Sequence, residues 1–425
     1  MSSQAYGVSV ADFNVSDRGD ADASAGIQKA LDSGAPHVYI PYGRYRIDKG
    51  LKISGSTRLV VHPQATLFFG DGAGRCASDF LISNRNEDSG DSDISISGGI
   101  WDGNNANNPR GSEGDTNAYT GALMNMKNVD GFRLENVVLK DSTAYFTRFT
   151  RVRNFRIQGV RFEMTHVTRN QDGIHCCGYC ENGHIHDIKA HGRYTTGDDL
   201  IALNADDGLL RSELLGAEAG PIRNLHISDI RADDCHSLVR LASVWSEISD
   251  IDIRGVYGGC RHYVLNADAL RYCRRPLFDS DDPAYAEGVG LLKNVHIQDA
   301  EVHSTSDSGL ALFCLESRMK NFSMSQVRRS VPSDASPESP LLEMKNVIQD
   351  QIVAEYRQTA AELDCGAADL QPVAGRPGVV RTKMTDRKVD HLRIHTDYLH
   401  TFAAGMPVLR QLPEKNCMVG LAADS

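Results

Sequence analysis

The stretch Asn154-Phe155-Arg156-Ile157 begins a unit that returns further along the chain as Asn182-Gly183-His184-Ile185. In this unit an Asn is followed by side chains that alternate between apolar or small and polar, which is typical of a strand with one face inward. Six further copies begin at Asp93, Asn128, Asn224, Asp250, Asn294 and Asn321.

The spacing of these copies distinguishes between classes of repeat protein. Most of the intervals from Asn128 onward lie in the high twenties, whereas those from Asn182 to Asn224 and from Asp250 to Asn294 are much longer, as insertions would make them. The units are too short and too rich in Gly and Asn for paired helices. We therefore predict an all-β fold, a single-stranded right-handed parallel β-helix, with the Asn side chains stacked at one corner.

The sequence outside the repeats divides the chain into three parts. Residues 1–50 are predicted to form an N-terminal cap and first coil, in which Asp22 or Ser24 caps a short helix with Ile27, Ala30 and Leu31 on one face. Residues 51–330 are predicted to form the β-helix with its catalytic face. Residues 331–425 are predicted to hold the last coils and a C-terminal tail, with strands near Asn346–Ile348, Ile352–Val353 and His391–His395.

Composition and charge exclude several classes of partner. A net charge of −11 and a pI near 5.7 argue against nucleic acid, which favours a basic surface. No apolar run is long enough for a membrane helix. The N-terminus lacks the features of a signal peptide, so we expect either a cytoplasmic protein or a secreted one with its leader removed. We expect a monomer, because no heptad pattern suggests assembly.

Three of the ten cysteines, Cys176, Cys177 and Cys180, lie close together. A Cys-x-x-Cys pair can bind zinc, but a second pair at the required spacing is missing. We therefore expect buried thiols, with no metal and no cofactor.

Three carboxylates occupy matching positions in successive repeats. Asp172 follows Asn154 at nearly the same distance along the chain as Asp198 and Asp199 follow Asn182. At matching offsets, Arg240 follows Asn224 and Tyr145 follows Asn128. Since adjacent coils are about 4.8 Å apart, these side chains should stack on one face.

Carboxylates on adjacent coils repel one another, which raises the pKa of at least one of them. A protonated acid beside ionised ones is the arrangement that glycoside hydrolysis requires, with one group protonating the leaving oxygen and another activating water or attacking directly. Turn-forming Asp residues are common in such coils. The matching offsets favour a functional interpretation over a purely structural one.

These segments also resemble a known enzyme family. Asn170-Gln171-Asp172-Gly173-Ile174 resembles the Asn-Thr-Asp-Gly-Ile motif of the polygalacturonase-like enzymes, glycoside hydrolase family 28, within the pectate-lyase-like superfamily. Gly197–Leu203 resembles their Gly-Asp-Asp-Cys-Ile-Ala-Ile strand. The resemblance implies an inverting glycosidase in which Asp198 is the general acid, Asp172 and Asp199 activate water, and Arg240 contacts a carbohydrate substrate.

The sequence departs from that family in two places. The Gly-His-Gly segment expected soon after Asp199 is absent, and Ala242 replaces the Lys that holds a uronate carboxylate. Plain polygalacturonate is therefore an unexpected substrate, and a neutral or differently substituted sugar fits better. Further candidates for substrate binding are His175, which can replace the missing His, Tyr145, Arg193 and Tyr194.

Two other functions are compatible with this pattern. A polysaccharide lyase would use carboxylate-bound Ca²⁺ to acidify a proton and Arg240 as the base. A non-catalytic β-helix of the adhesin or phage-tail type would only bind carbohydrate. The order of the motifs favours the hydrolase over the lyase, and the spacing of all three acids favours an enzyme over a binding protein.

Overall fold

A computed structural model describes residues 7–112, 117–206, 213–214, 217–269, 290–345, 352–360, 363–365, 371–376, 379–383 and 388–396. The fold is all-β, a right-handed parallel β-helix with one short α-helix near the N-terminus, as the repeats predict. Contacts divide the chain into two compact units, of which the first comprises residues 1–202, 215–217 and 225–236. The second comprises residues 203–214, 218–224 and 237–425.

The first unit opens with strand β1 (Val8–Ser9), a 3₁₀ helix (Val10–Phe13), strand β2 (Arg18–Asp22) and helix α1 (Ser24–Leu31). The apolar face predicted for this helix is buried. The predicted cap is wrong in detail, because the N-cap position is Ala23, which makes no side-chain cap. Asp22 instead accepts a hydrogen bond from the backbone N–H of Ser24 at 2.9 Å.

Helix α1 covers strand β5 (Leu51–Ile53) of the first unit. Gln28 forms two hydrogen bonds with the backbone of Lys52, donating from Nε2 at 2.9 Å and accepting at Oε1 at 2.8 Å. The Gln28 amide thereby satisfies the backbone N–H and carbonyl of Lys52, which would otherwise need water as a partner.

The remaining strands of the first unit run parallel from coil to coil. They are β3 (His37–Ile40), β4 (Arg44–Ile47), β6 (Arg58–Val61), β7 (Thr66–Phe69), β8 (Ile82–Asn84), β9 (Asp91–Ser97), β10 (Ile100–Asp102), β11 (Met124–Glu135), β12 (Val138–Lys140), β13 (Thr147–Glu163), β14 (Ile174–Cys176) and β15 (Glu181–Arg193). The next strands are β16 (Asp199–Asn204), β17 (Glu213–Leu214), β18 (Ala217–Glu218) and β19 (Ile222–Cys235). The division splits β16, β18 and β19 between the two units and assigns β17 to the second.

The residue that opens each repeat has a positive φ, between 52° and 60°. In one coil the strand register places Gly131, with a φ of 80°, and not Asn128 at the corner level with Asp93 and Asn154. Asn and Asp tolerate this left-handed conformation better than other non-Gly residues, because their short polar side chains can hydrogen-bond locally. Within the first unit the predicted corner ladder joins Asn182 to Asn154, with Asn182 Nδ2 donating to Asn154 Oδ1 at 3.3 Å. Asn154 Nδ2 donates in turn to Oδ1 of Asp130 at 2.6 Å, one residue before the corner position of that coil. The recurrence of Asn and Asp in the sequence therefore reflects the left-handed backbone conformation at these positions.

The second unit continues with further parallel strands. They are β20 (Ser237–Ala242), β21 (Ile248–Cys260), β22 (Leu265–Asp268), β23 (Leu292–Ser304), β24 (Phe313–Glu316), β25 (Met319–Arg329) and, after a 3₁₀ helix at Val331–Ser333, β26 (Leu342–Met344). Its corner ladder joins Asn294 to Asp250 at 2.7 Å and Asn321 to Asn294 at 3.0 Å.

The strands that follow residue 345 pair antiparallel. They are β27 (Ile352–Ala360), β28 (Leu363–Cys365), β29 (Gln371–Pro372), β30 (Val380–Arg381) and β31 (Lys388–Thr396). The strands predicted at Ile352 and His391 are present, whereas the segment at Asn346–Ile348 lies outside the described residues. No helix of the described chain is both long and apolar enough to cross a membrane.

Aromatic side chains fill the core of the first unit between coils. Trp101, Phe132, Phe149 and Phe162 are fully buried, and the rings of Phe132 and Phe149 lie 5.4 Å apart. Burying one such side chain contributes about 1.5–3 kcal/mol. Asp172 and its neighbours are thus carried on coils whose interiors are tightly packed.

Gly183 and Phe155 offer a direct test of this packing. They are paired across β13 and β15, and a Cβ added to Gly183 would lie 2.1 Å from Cζ of Phe155. Overpacking of this kind typically costs about 1–3 kcal/mol, so we expect Gly183→Ala to lower the free energy of unfolding by that amount in chemical denaturation. The double variant Gly183→Ala with Phe155→Leu should recover part of the loss, and an additive double variant would contradict the contact.

Candidate active site

The loop that leads to Asp172 is held by a buried amide. Gln171 is fully buried; its Oε1 accepts from the backbone N–H of Thr168 at 2.6 Å, and its Nε2 donates to the carbonyl of Ser142 at 2.6 Å. A Cβ on Gly197 would lie 2.6 Å from the same Oε1, so the glycine before the Asp pair allows the next coil to approach this amide. The loop therefore has little freedom to move Asp172.

Asp172 forms a close ion pair with His175, on the strand that follows it. Nδ1 of His175 lies 2.5 Å from Oδ2 of Asp172, and the two residues are 3% and 4% exposed. The ring of Tyr145 lies against the imidazole, with centroids 4.3 Å apart, and Tyr145 is also 3% exposed. His175 and Tyr145 were predicted to bind substrate, and the structure places both of them beneath the surface.

The environment of His175 favours its charged form. Burial alone lowers the pKa of this imidazole, but Cys177 and the hydrogen-bonded carboxylate of Asp172 outweigh that effect and raise the pKa well above its usual value. Among the described residues, Nε2 of His175 has no hydrogen-bond partner. A protonated imidazole beside Asp172 stabilises that acid as a carboxylate.

Asp198 is the last residue before β16, and Asp199 is the first residue of that strand. Thr196 Oγ1 donates to the carbonyl of Asp198 at 2.8 Å, and the backbone N–H of Asp199 donates to Oδ1 of Asp198 at 3.1 Å. Asp198 is 9% exposed and Asp199 is 2% exposed. Of the three acids, Asp198 is the most accessible to a substrate.

Backbone hydrogen bonds place the acids on successive coils. The N–H of Phe146 donates to the carbonyl of Asp172 at 2.8 Å, and the N–H of Gly173 donates to the carbonyl of Asp199 at 2.9 Å. Within the first unit, the coil of Tyr145, the coil of Asp172 and the coil of the Asp pair therefore follow one another, as counting from the corner residues predicts.

His236 lies beside the Asp pair and was missed in the sequence. Its Nδ1 is 3.5 Å from Oδ1 of Asp198 and 3.9 Å from Oδ1 of Asp199, and its backbone N–H donates to the carbonyl of Thr196 at 3.0 Å. A fixed distance from Asp199 was the wrong guide, because the sequence interval from Asn182 to Asn224 is longer than most of the others. Its place directly before the strand Ser237–Ala242 was the available signal.

Asn170 approaches Asp198 from the other side. Its Nδ2 lies 3.4 Å from Oδ2 of Asp198, and its Oδ1 accepts from Nη1 of Arg110 at 2.7 Å. The two oxygens of Asp198 are thus in different surroundings, since one faces an amide and the other faces an imidazole.

Arg193 and Tyr194 contact each other at the surface. The guanidinium of exposed Arg193 lies 5.0 Å from the centre of the Tyr194 ring, and the backbone N–H of Tyr194 donates to Asp234 at 3.2 Å. The guanidinium and the phenol form a polar surface on the turn that precedes Thr196. Their predicted part in substrate binding stays a prediction.

Arg240 lies in the second unit and is paired with a carboxylate there. Its Nη2 donates to Oδ2 of Asp268 at 2.7 Å, and the two residues are 6% and 7% exposed. Asp268 is in register with Glu316 on the next coil, and Lys345 forms an ion pair with Glu316. Burial raises the pKa of Glu316, although Lys345 opposes the shift. A substrate group that binds the guanidinium of Arg240 must therefore compete with the carboxylate of Asp268.

The clustered cysteines are buried thiols, as predicted. Cys176, Cys177 and Cys180 are at most 3% exposed and form no disulfide. A hydrogen bond with Cys180, together with burial, raises the pKa of Cys176 well above its usual value, so this thiol stays protonated. Metal-type donors converge elsewhere, where Asp198, Asp199 and His236 each offer one atom and these atoms lie within 4.8 Å of one another.

Comparison with known sequences identifies one family. The sequence model described as rhamnogalacturonase A/epimerase, pectate lyase-like, matches residues 7–259. A shorter match, 35% identical over 102 residues, is to the pre-neck appendage protein of Bacillus phage phi29. That match covers 24% of this chain, and the chain spans about 12% of the length of this phage protein and of its counterpart in phage PZA.

Comparison with solved structures gives distant similarities of fold. The Yersinia enterocolitica family 28 exopolygalacturonase is 17% identical with a TM-score of 0.48, over 74% of this chain and 68% of that one. A surface adhesin of Streptococcus pneumoniae is 15% identical with a TM-score of 0.47, over 75% of this chain and 90% of that one.

Proposed function

This chain belongs to the rhamnogalacturonase A/epimerase, pectate-lyase-like family, and we propose that it is a glycoside hydrolase acting on a poly- or oligosaccharide. The observation that carries the proposal is the group of three buried carboxylates on two successive coils of the first unit, each with a different set of neighbours. Different surroundings give chemically equivalent acids different roles.

Asp172 is suited to be ionised when the reaction begins. The pair with His175 at 2.5 Å and the raised pKa of that imidazole both favour a carboxylate at this position. A fixed carboxylate can orient a water molecule and accept its proton. His175 and Tyr145 act in this account as positioning residues, since their burial keeps them from a sugar.

Asp198 is suited to be the general acid. It is the most exposed of the three carboxylates, and its oxygens face Asn170 and His236. In the proposed step, Asp198 gives its proton to the glycosidic oxygen as the bond from that oxygen to the anomeric carbon breaks. Water adds to the opposite face of the sugar and loses a proton to Asp172 or Asp199, which inverts the configuration.

The substrate we propose is a neutral or differently substituted sugar chain. Ala242 is buried and offers no charge where the resembling enzymes carry a Lys, and Arg240 is engaged with Asp268. A polyuronate needs charge-assisted contacts to each carboxylate. Arg193 and Tyr194 supply polar and aromatic groups that suit sugar hydroxyls and ring faces.

A calcium-dependent lyase is the second candidate, and the donor set at the acids argues against it. Calcium in proteins is bound by about six to eight oxygen ligands. The convergent group here consists of two carboxylates and an imidazole, and nitrogen is a poor ligand for this ion.

A hydrolysis screen tests the proposal. Oligosaccharides from plants and bacteria and aryl glycosides would be incubated with the protein, with and without EDTA, and assayed for reducing ends and for ultraviolet absorption. Hydrolysis predicts new reducing ends that persist in EDTA. An EDTA-sensitive product that absorbs as an unsaturated uronate would establish the lyase, and binding without turnover would establish a carbohydrate-binding protein.

A further inference from the structure

Trp245 is a large aromatic side chain that the fold of the second unit leaves in contact with solvent. It is 40% exposed, whereas the other tryptophan of the chain, Trp101, is fully buried. It lies in the short connection between β20, which ends at Ala242, and β21, which begins at Ile248. A single exposed apolar side chain is ordinary by itself. The backbone that carries this indole is what distinguishes it.

The turn around Trp245 is held by a buried carboxylate, that of Asp206, which is 5% exposed. Its two oxygens accept from three consecutive backbone N–H groups, those of Val244 at 2.5 Å, Trp245 at 3.0 Å and Ser246 at 2.6 Å. Successive amides that converge on one anion form a concave nest. Oγ of Ser243 also donates to the carbonyl of Ser246 at 2.7 Å. The indole is therefore carried on a turn with little freedom to move.

Holding the turn in this way costs the fold free energy. Burial outweighs the hydrogen bonds that Asp206 accepts, and it raises the pKa of this carboxyl above its usual value. Among the residues that the structure describes, no cation forms an ion pair with Asp206. Ordinary turns are formed by Gly, Asn or Ser without a buried charge. A costly support beneath one exposed indole indicates that the position of the indole matters.

Polar groups follow the indole at the end of the same connection. Glu247 forms an ion pair with Arg223 at 3.3 Å, and their side chains are 24% and 52% exposed. Ser249 also donates to Glu247 at 2.8 Å, so the carboxylate is held in place. Aromatic side chains with one apolar and one polar neighbourhood are typical of binding surfaces that are partly wet.

We propose that Trp245 and Glu247 form a binding platform for a neutral sugar ring in the second unit. The choice of a carbohydrate as ligand rests on the function proposed above. The C–H groups on one face of a sugar ring can pack against the indole, and the hydroxyls can donate to the carboxylate. A uronate fits less well, because the guanidinium of Arg223 is already engaged by Glu247.

Fluorescence locates the ligand, because the chain has two tryptophans and Trp101 is fully buried. A quencher dissolved in water, such as acrylamide, therefore acts mainly on Trp245. The variant Asp198→Asn, which should not consume the probes, would be titrated with galactan, arabinan and xylan oligosaccharides and with oligogalacturonate. We expect at least one neutral probe to protect Trp245 from acrylamide, and we expect oligogalacturonate to leave the quenching unchanged.

Calorimetry with the protecting probe measures what the platform contributes. In the same Asp198→Asn protein, Trp245→Ala should weaken binding by roughly tenfold or more, as loss of an aromatic anchor does at other binding surfaces. Trp245→Phe keeps a ring and should lose less. Asp206→Asn should weaken binding and also lower the fluorescence anisotropy of Trp245, because an amide cannot accept at both oxygens. Tyr42→Ala is the matched control, since Tyr42 is an exposed aromatic residue on a turn of the first unit.

The outcomes separate the platform from the proposed hydrolase. The platform would be overturned, even if hydrolysis is found, by a panel in which no neutral probe protects Trp245. Equal affinity with and without the indole, the same loss in Tyr42→Ala, or equal protection by oligogalacturonate would also overturn it. Protection of Trp245 by a probe from which wild type releases no reducing ends would support the platform and count against the hydrolase.

Discussion

Replacing Asp198 by Asn is expected to lower kcat by about 10²–10⁴-fold, the usual contribution of a general acid. The amide keeps the size of the side chain and its contact with Asn170 at 3.4 Å, but it cannot give a proton to the glycosidic oxygen. KM should change little, because substrate contacts elsewhere remain. The measurement is steady-state kinetics on the best substrate from the screen.

Two comparisons show whether the loss is chemical. Asp88→Asn is the matched control, because the side chain of Asp88 is fully exposed in the same unit and should tolerate the change. An aryl glycoside with a good leaving group needs less protonation, so Asp198→Asn should lose less activity on it. Equal losses on both substrates would contradict the role of Asp198 as the acid.

Replacing His175 by Ala is expected to lower the free energy of unfolding by about 3–5 kcal/mol, because it leaves the buried carboxylate of Asp172 without its partner. The loss should depend on pH. The folded-state pKa of His175 is raised, so the pair contributes fully below the unfolded-state pKa of about 6.5 and is lost as pH rises through the folded-state value. The difference between wild type and variant should therefore shrink in alkaline solution.

Denaturation by urea at several pH values, from about pH 6 upward, measures this dependence. His191→Ala is the control, since His191 is exposed and its loss should change the free energy of unfolding little at any pH. A difference between wild type and His175→Ala that stays constant or grows with pH would show that the imidazole is neutral in the folded protein.

The fold could be predicted from the sequence because one corner of each coil has a strict conformational requirement. Asn or Asp supplies the positive φ at most corners, and that preference marks Asn154 and Asn182 in the sequence as clearly as in the structure. Counting from those corners then fixed the order of the coils that carry Asp172 and Asp199. A backbone conformation that recurs at regular intervals selects the same residue types each time, and a single sequence displays that pattern.

Other features depend on contacts that a single chain does not display. His236 lies beside the Asp pair at the end of one of the two long intervals between repeats, and the length of such an interval does not reveal where the chain returns to the site. The burial of Tyr145 and His175 depends on how their side chains pack against each other. The antiparallel pairing of β31 with β25 lies beyond the last corner residue, where no repeat guides the prediction.

The most direct test of the central claim is the fate of solvent oxygen. In water labelled with ¹⁸O, a hydrolase places one labelled oxygen on each new reducing end, and mass spectrometry should show a product two mass units heavier than the product formed in ordinary water. Asp198→Asn should form that product at least about 10²-fold more slowly. Cleavage that leaves the product unlabelled and unsaturated would contradict hydrolysis by the three carboxylates.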